Sequence, residues 1–149
     1  MSSFDDLPLT VSPEVASALA TGKAVVGLET TILSFGLPHP LNVQVGTACE
    51  ARIREQNVIP ATLAVLAGSI RVGISPPDIE NLCRPDIAVK KTNLQNLAGV
   101  ICQQAPGALT VAASLRVCTL AGIRVFATGG IGGVHRGVCL LYTSPSPRD

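Results

Sequence analysis

The stretch Ala24-Val25-Val26-Gly27-Leu28-Glu29-Thr30-Thr31 decides the fold. Its first five residues form a short, continuous apolar run, which is typical of a strand covered on both faces in a parallel sheet. A segment punctuated by glycine and proline follows at 34–40, and from Leu41 to Gln56 apolar side chains recur at helical spacing. The order strand, loop, helix predicts one unit of a layered α/β protein.

Further apolar runs repeat this pattern along the chain. Residues 62–67 and 69–74 predict two strands joined by a turn around Gly68. Ser75 is a suitable N-cap and Pro76 suits a first helical position, so a short helix is predicted to end near Cys83. Two strands followed by a helix favour a sheet with helices packed against it.

The second half of the chain predicts a similar alternation. Residues 87–89 form a minimal apolar strand, 93–104 and 110–121 have helical patterns, and Gly122 is a C-terminal cap for the second helix. Residues 123–128 are rich in β-formers and predict another strand. The predicted fold class is therefore α/β, layered α/β/α with a mostly parallel sheet.

Composition excludes several classes of function. The 149 residues carry 11 basic and 10 acidic side chains, a formal net charge of +1, which gives no basic field for nucleic acid. The chain has no Trp and few aromatic residues on which bases could stack. No apolar run reaches membrane-spanning length, and the first residues do not resemble a targeting signal. We expect a cytoplasmic protein with a small-molecule substrate.

The five cysteines predict no disulfide framework. They are odd in number and form no C-x-x-C pair. Most lie where apolar side chains are expected, so we interpret them as small core residues in a reducing compartment. The five residues are Cys49, Cys83, Cys102, Cys118 and Cys139.

Charged and glycine-rich segments follow the predicted strands. Glycines occupy four of the five positions 129–133, where backbone N–H groups could converge on a phosphate, although a tight turn would need the same residues. The spacing does not fit a dinucleotide fingerprint, which excludes a Rossmann dehydrogenase. Lys90 and Lys91, and also His135 with Arg136, could add cationic groups or simply be solvated.

Glu29 follows the first apolar strand, at the edge where open α/β sheets gather ligands. A partly desolvated carboxyl group there can keep its proton and act as a general acid. A glutamate at a strand end is, on its own, more often a solvated or capping carboxylate. Glu29 is therefore a candidate catalytic residue that needs a second observation.

Three segments together resemble one family. LETTILSFGLPHPLN (28–42), VIPATLAVLAGSIRVGIS (58–75) and GIRVFATGGIGGVHRG (122–137) are similar to pseudouridine-5'-phosphate glycosidases. The resemblance implies cleavage of the C–C glycosidic bond of pseudouridine 5'-phosphate to uracil and ribose 5-phosphate, reversibly and with a divalent metal, Mn2+. It also implies a homo-oligomer, commonly a trimer. An alternative class is a non-catalytic module that binds sugar phosphates or nucleotides.

The resemblance implies roles for individual residues. Glu29 matches the family's proton donor and Lys91 a substrate-contacting lysine, with Lys90 as the alternative for that position. Val111, Thr128 and His135 match further substrate-contacting positions. The family's metal-binding aspartate and Schiff-base lysine lie beyond its His-Arg-Gly, where this chain leaves the pattern.

The end of the chain departs from the family. We expect residues 1–137 to be the amino-terminal part of a glycosidase domain, truncated there, and 138–149 to be a non-native or disordered tail. The 149-residue chain would then lack the nucleophile and the metal ligand and be inactive. Uracil release from pseudouridine 5'-phosphate by the purified chain would contradict this expectation.

Overall fold

The structure, a computed structural model, describes residues 8–131 and contains seven strands and five α-helices in that range. The strands are β1 Leu9–Val11, β2 Val25–Leu28, β3 Ile59–Leu66, β4 Ser69–Val72, β5 Lys90–Thr92, β6 Gly107–Leu109 and β7 Val125–Ala127. The α-helices are α1 Pro13–Ala20, α2 Leu41–Glu55, α3 Pro76–Cys83, α4 Leu97–Cys102 and α5 Val111–Ala121, and Ile32–Gly36 forms one π-helical segment.

The strands form one mixed sheet in the order β1-β4-β3-β2-β7, with β6 also paired to β3 and β5 paired to β6. Four of the pairs are parallel: β1 with β4, β2 with β3, β2 with β7, and β5 with β6. The pairs β3 with β4 and β3 with β6 are antiparallel. The predicted α/β fold with a mostly parallel sheet is confirmed.

The long strand β3 pairs with two strands, β2 and β6, along the same side. Its first half pairs with β2, as Leu28 lies opposite Thr62, and its second half pairs with β6, as Ala64 lies opposite Ala108. Because β2 runs parallel to β3 and β6 runs antiparallel to it, the carboxyl ends of β2 and β6 point toward each other. This head-to-head junction brings together the residues that follow β2 and β6 in the chain.

Helices cover both faces of the sheet. On one face, α1, α4 and α5 pack on the sheet around Val15, Leu63 and Val117, all at most 1% exposed. On the other face, the π-helical segment, α2 and α3 pack over Ala64 through Leu33, Val43 and Ile79. The alternation of Leu63 and Ala64 along β3 sends successive side chains into opposite clusters, which explains its continuous apolar sequence.

Several local predictions are confirmed. The strand predicted at 69–74 is present as β4, which ends at Val72, and it follows β3 through a two-residue turn in which Ala67 and Gly68 both have positive φ, 48° and 73°. Ser75 and Asp78 cap α3 reciprocally, and Gly122 ends α5 in the left-handed conformation with φ 76°. These features depend on residues adjacent in sequence, so local patterns were enough to identify them.

Other predictions need correction. The strand predicted at 87–89 is instead β5 at Lys90–Thr92, so the two lysines lie within a strand and not after one. The helix predicted at 93–104 is only α4, because Asn93 and Asn96 side chains bond to the backbone of a preceding turn. Part of the predicted 34–40 loop is π-helical, and the short strand β6 was not predicted.

The cysteines divide into two kinds. Cys83 and Cys118 are buried, as expected for core residues, but Cys49 and Cys102 are exposed, so the core interpretation is wrong for those two. Burial raises the pKa of the Cys118 thiol to about 11 and also raises the pKa of Cys83. Cys139 lies outside the described residues. Among residues 8–131, no helix combines the length and apolarity needed to cross a membrane.

Candidate active site

The carboxyl ends of four strands meet beside the middle of β3. Leu28 of β2 lies opposite Ala127 of β7, so the next residues, Glu29 and Thr128, are neighbours. β6 ends head to head with β2, and β5 runs parallel to β6 with Thr92 opposite Leu109. Carboxyl ends of parallel strands are the usual place for ligands in open α/β sheets.

Two threonines hold the junction between β2 and β6. Thr30, which is 0% exposed, donates a hydrogen bond to the Leu63 carbonyl at 2.8 Å and accepts one from the Leu109 amide at 3.0 Å. Thr31 donates to the Leu109 carbonyl at 2.7 Å. The two hydroxyls thus bond to backbone groups that have no partner strand at this point of the sheet. They also hold in place the backbone next to Glu29.

Glu29 is held from the other side by β7. The Thr128 hydroxyl donates to Glu29 Oε1 and accepts a hydrogen bond from the Gly130 amide at 3.3 Å. The carboxyl group and the start of the glycine-rich segment are therefore linked through one side chain. The strand-end acid and the described part of the glycine-rich segment therefore lie side by side.

A cavity of about 310 Å³ opens in front of Glu29. Its walls are mostly aliphatic, with polar groups from a glutamate, two threonines and a cysteine, which is the usual composition of a small-molecule site. The lining residues are Leu28, Glu29, Ile32, Leu33, Val45, Gly46, Cys49, Thr62, Ala127, Thr128 and Gly129.

The wall formed by the π-helical segment and α2 is fixed by a buried amide. Asn42, 3% exposed, donates two hydrogen bonds of 2.9 Å, to the carbonyls of Leu33 and Cys83. Ser34 donates to the Leu82 carbonyl at 2.9 Å. Gly46 lets α2 approach closely, since an added Cβ would come within 3.2 Å of Leu33. These contacts hold α2 in place above the cavity.

A second carboxylate lies behind the cavity wall. Thr62, 2% exposed, donates to Glu50 Oε1 at 2.5 Å, and Glu50 follows the cavity residue Cys49 on α2. Burial raises the pKa of Glu50, while the hydrogen bond from Thr62 and the charge of Arg54 oppose that shift. Nothing in the sequence pattern alone distinguished Glu50 from other helical glutamates.

Lys91 and Val111 lie near the same strand ends but do not line the cavity. Lys91 is opposite Ala108, which is opposite Ala64, and Ala64 shares a strand face with Thr62. Alternation therefore places Lys91 on the cavity face and Lys90 on the other. Val111 is the first residue of α5, two residues beyond the Leu109 junction. His135 lies outside the described residues.

The described part of the chain has no set of three His, Cys, Asp or Glu side chains that could hold a metal ion. Glu29 is engaged by Thr128, and Glu50 by Thr62, on separate walls of the cavity region. Residues 8–131 therefore do not fit a divalent-metal site.

Sequence comparison gives the same family as the motifs. The profile of the family described as Indigoidine synthase A like protein matches residues 14–141. A pseudouridine-5'-phosphate glycosidase of Rhodospirillum centenum is 51% identical over 130 residues, covering 87% of this chain and 40% of that protein. The enzyme of that name from Escherichia coli is 48% identical over 129 residues, covering 87% and 41%.

Two solved structures match this chain over nearly the same share of its length as the sequence relatives do. A prealnumycin C-glycosynthase, AlnA, in complex with ribulose 5-phosphate has a TM-score of 0.75 at 33% identity, covering 89% of this chain and 42% of that one. An indigoidine synthase A-like protein from Thermotoga maritima has a TM-score of 0.74 at 29% identity, covering 88% and 42%. The chain spans about two fifths of the length of the curated relatives it matches.

Proposed function

Because the chain belongs to the Indigoidine synthase A like protein family, we propose that it is the acid-bearing part of an enzyme that cleaves the C–C glycosidic bond of pseudouridine 5'-phosphate to uracil and ribose 5-phosphate, and that the 149 residues alone bind the substrate but do not complete the reaction. One observation carries the proposal: Glu29, in the position of the family's proton donor, is bonded to Thr128 and faces a cavity at the carboxyl ends of the strands. The name of the relatives supplies the substrate.

The proposed role of Glu29 is that of general acid. Uracil leaves through a ring carbon, so cleavage needs a proton delivered to that carbon as the bond to the sugar breaks. Thr128 occupies Oε1, so the transferable proton is carried on Oε2 of the same carboxyl group. Leu28, Ile32 and Val45 form an aliphatic wall beside this carboxyl group, which lowers the polarity around the proposed proton transfer.

The proposed substrate contacts surround this acid. Thr128 and the backbone amides of Gly129 and Gly130 are proposed to contact the sugar phosphate, and Lys91 to supply a cation on the same sheet face. Val111, the first residue of α5, is proposed as a further substrate contact. His135 is proposed as a further contact on the phosphate side. The AlnA complex with ribulose 5-phosphate supports sugar phosphate as the ligand class for this fold.

We make three further proposals: for the full-length protein, the family resemblance supports a requirement for Mn2+ and assembly into a homo-oligomer such as a trimer, and the cysteine usage supports a cytoplasmic location. Residues 8–131 do not provide the metal ligands. A metal content measurement and light scattering of the purified protein test the first two, and fractionation of cells that produce it tests the third.

Cysteine labelling tests ligand binding at the proposed site directly. Cys49 lines the cavity and is exposed, whereas Cys102 is exposed on α4 and does not line it. We expect saturating pseudouridine 5'-phosphate, and also ribose 5-phosphate, to slow iodoacetamide labelling of Cys49 and to leave Cys102 unchanged. Peptide mass spectrometry reports both sites in one sample, so Cys102 is an internal control.

Two results would contradict the proposal. Equal labelling of Cys49 with and without the nucleotide would mean that the cavity is not its binding site. Protection by inorganic phosphate alone, to the same extent and at the same concentration, would mean that the site recognises only the anion. The variant Glu29→Gln should remain protected, because the amide keeps the shape of the side chain while losing the proton donor.

A further inference from the structure

A buried hydrogen bond lies directly behind the cavity. Thr62 is on β3, beside Leu28 in the sheet register, and its side chain lines the cavity. Its hydroxyl donates to Glu50 Oε1 at 2.5 Å. A hydroxyl has one proton, so once that proton is given to Glu50 the oxygen can only accept hydrogen bonds from the cavity side.

The direction of the hydrogen bond sets this polarity, because Glu50 Oε1 accepts from Thr62 although burial raises the pKa of Glu50. Arg54 is a favourable neighbouring charge and Glu14 an unfavourable one, but the direct hydrogen-bond partner of the carboxylate is Thr62. Arg54 is itself paired with Glu14 by two hydrogen bonds, of 2.5 and 3.0 Å. Arg54 is therefore engaged by Glu14, and the hydrogen bond from Thr62 orients both Thr62 and the Glu50 carboxyl group.

We propose that Glu50 is a positioning residue: by accepting the Thr62 proton it turns the lone pairs of Thr62 Oγ1 toward the cavity, so that this wall selects a neutral hydrogen-bond donor of the ligand. The inference rests on the proposed function and adds to it the orientation of the substrate. A hydroxyl of the ribose or an N–H of the uracil ring fits this wall.

The same wall disfavours the phosphate of the ligand. A phosphate oxygen would place acceptor against acceptor at Thr62, with the negative charge of Glu50 behind it. Gly129, by contrast, lines the cavity on the β7 side, where backbone amides begin. The phosphate is therefore directed to the β7 side and the sugar or base to the β3 side.

Calorimetric titration of the purified chain with pseudouridine 5'-phosphate tests the inference. We expect Thr62→Val and Glu50→Ala each to weaken binding about 2- to 10-fold, the range for one neutral hydrogen bond. Thr62→Ser keeps the hydroxyl and Glu50→Gln keeps an acceptor oxygen, so both should bind within about 2-fold of the original chain. The double variant Glu50→Ala with Thr62→Val should be no weaker than Thr62→Val alone, because both changes remove one contact.

Thermal unfolding of the same variants separates positioning from a purely structural role. If Glu50→Ala lowers the melting temperature but its folded fraction binds the nucleotide like the original chain, Glu50 only stabilises the fold and the inference is overturned. Equal affinities for all variants overturn it as well. If the original chain does not bind the nucleotide at all, the proposed function falls with it, so the two failures give different results.

Discussion

The Leu109 amide donates a hydrogen bond of 3.0 Å to the hydroxyl of Thr30, and this contact joins the end of β6 to the end of β2. The same hydroxyl donates to the Leu63 carbonyl on β3. One buried side chain therefore connects three strands at the point where their ends form the site. Because Thr30 is held in place, the preceding residue, Glu29, is positioned at the same junction.

Replacement of Thr30 by valine should destabilise the protein. Valine has the same shape but leaves the buried Leu109 amide without its acceptor, which costs about 1–3 kcal/mol in the free energy of unfolding. Thr30→Ser retains both hydrogen bonds and loses one methyl group, about 0.8 kcal/mol. Urea denaturation compares the two, and a valine variant as stable as the serine variant would mean that the hydrogen bonds are not needed.

The burial of Glu50 predicts a dependence of stability on pH. Its pKa in the folded protein is raised above the ordinary value of 4.5, chiefly by burial, so the folded state binds the proton more tightly than the unfolded state. Glu50 therefore costs stability as the pH rises from about 4.5 through its folded pKa. Glu50→Gln does not titrate and avoids this loss. We therefore expect the free energy of unfolding of the variant, minus that of the original chain, to increase as the pH rises through this range.

Denaturant unfolding at a series of pH values checks this difference. Thr62→Val provides a second comparison, because the Thr62 hydrogen bond lowers the pKa of Glu50. Its removal should extend the loss of stability to higher pH. A difference between the glutamine variant and the original chain that stays constant from about pH 4 to 8 would refute the assignment of the shift to Glu50.

Local signals made most of the helices and strands predictable. The apolar run before Glu29, the Ser75 cap and the Gly122 terminator all depend on residues adjacent in sequence. Strand β5 was misplaced because Lys90, Lys91 and Thr92 have no apolar alternation, and they form a strand only through pairing with β6. Tertiary pairing of this kind overrides the local pattern.

The candidate site was predictable only in part. Glu29 and Thr128 could be identified from strand ends and from the family resemblance, and the structure brings them together. The contact of Glu50 with Thr62 joins a helix to a strand, so no periodicity indicates it. The roles of all five residues, Glu29, Lys91, Val111, Thr128 and His135, stay predictions.

The turn between β3 and β4 gives a test of backbone conformation. Gly68 has φ 73°, and an added Cβ would also lie 3.3 Å from the Ile101 carbonyl oxygen, so Gly68→Ala should destabilise the protein by about 1–2 kcal/mol. Gly99 lies in α4 with open space around its Cβ position, so Gly99→Ala should stabilise by about 0.5–1 kcal/mol. Thermal unfolding should therefore shift the two variants in opposite directions, and equal shifts would contradict the turn geometry.

The close approach of α5 to the sheet depends on Gly27. A Cβ added there would overlap the Cys118 sulfur, while Phe126 would remain at an ordinary distance of 3.4 Å. Gly27→Ala should therefore cost about 1–3 kcal/mol through overpacking, although alanine alone is the better strand residue.

Removal of the sulfur should relieve that cost. In the double variant Gly27→Ala with Cys118→Ala, the new methyl group takes the space that the sulfur vacates, so the two costs should not add. We expect a favourable coupling energy of about 1–2 kcal/mol, measured by urea denaturation of both single variants and the double variant. Strict additivity would show that α5 shifts to accommodate the methyl group added at Gly27 and that Cys118 does not set the distance of α5 from β2.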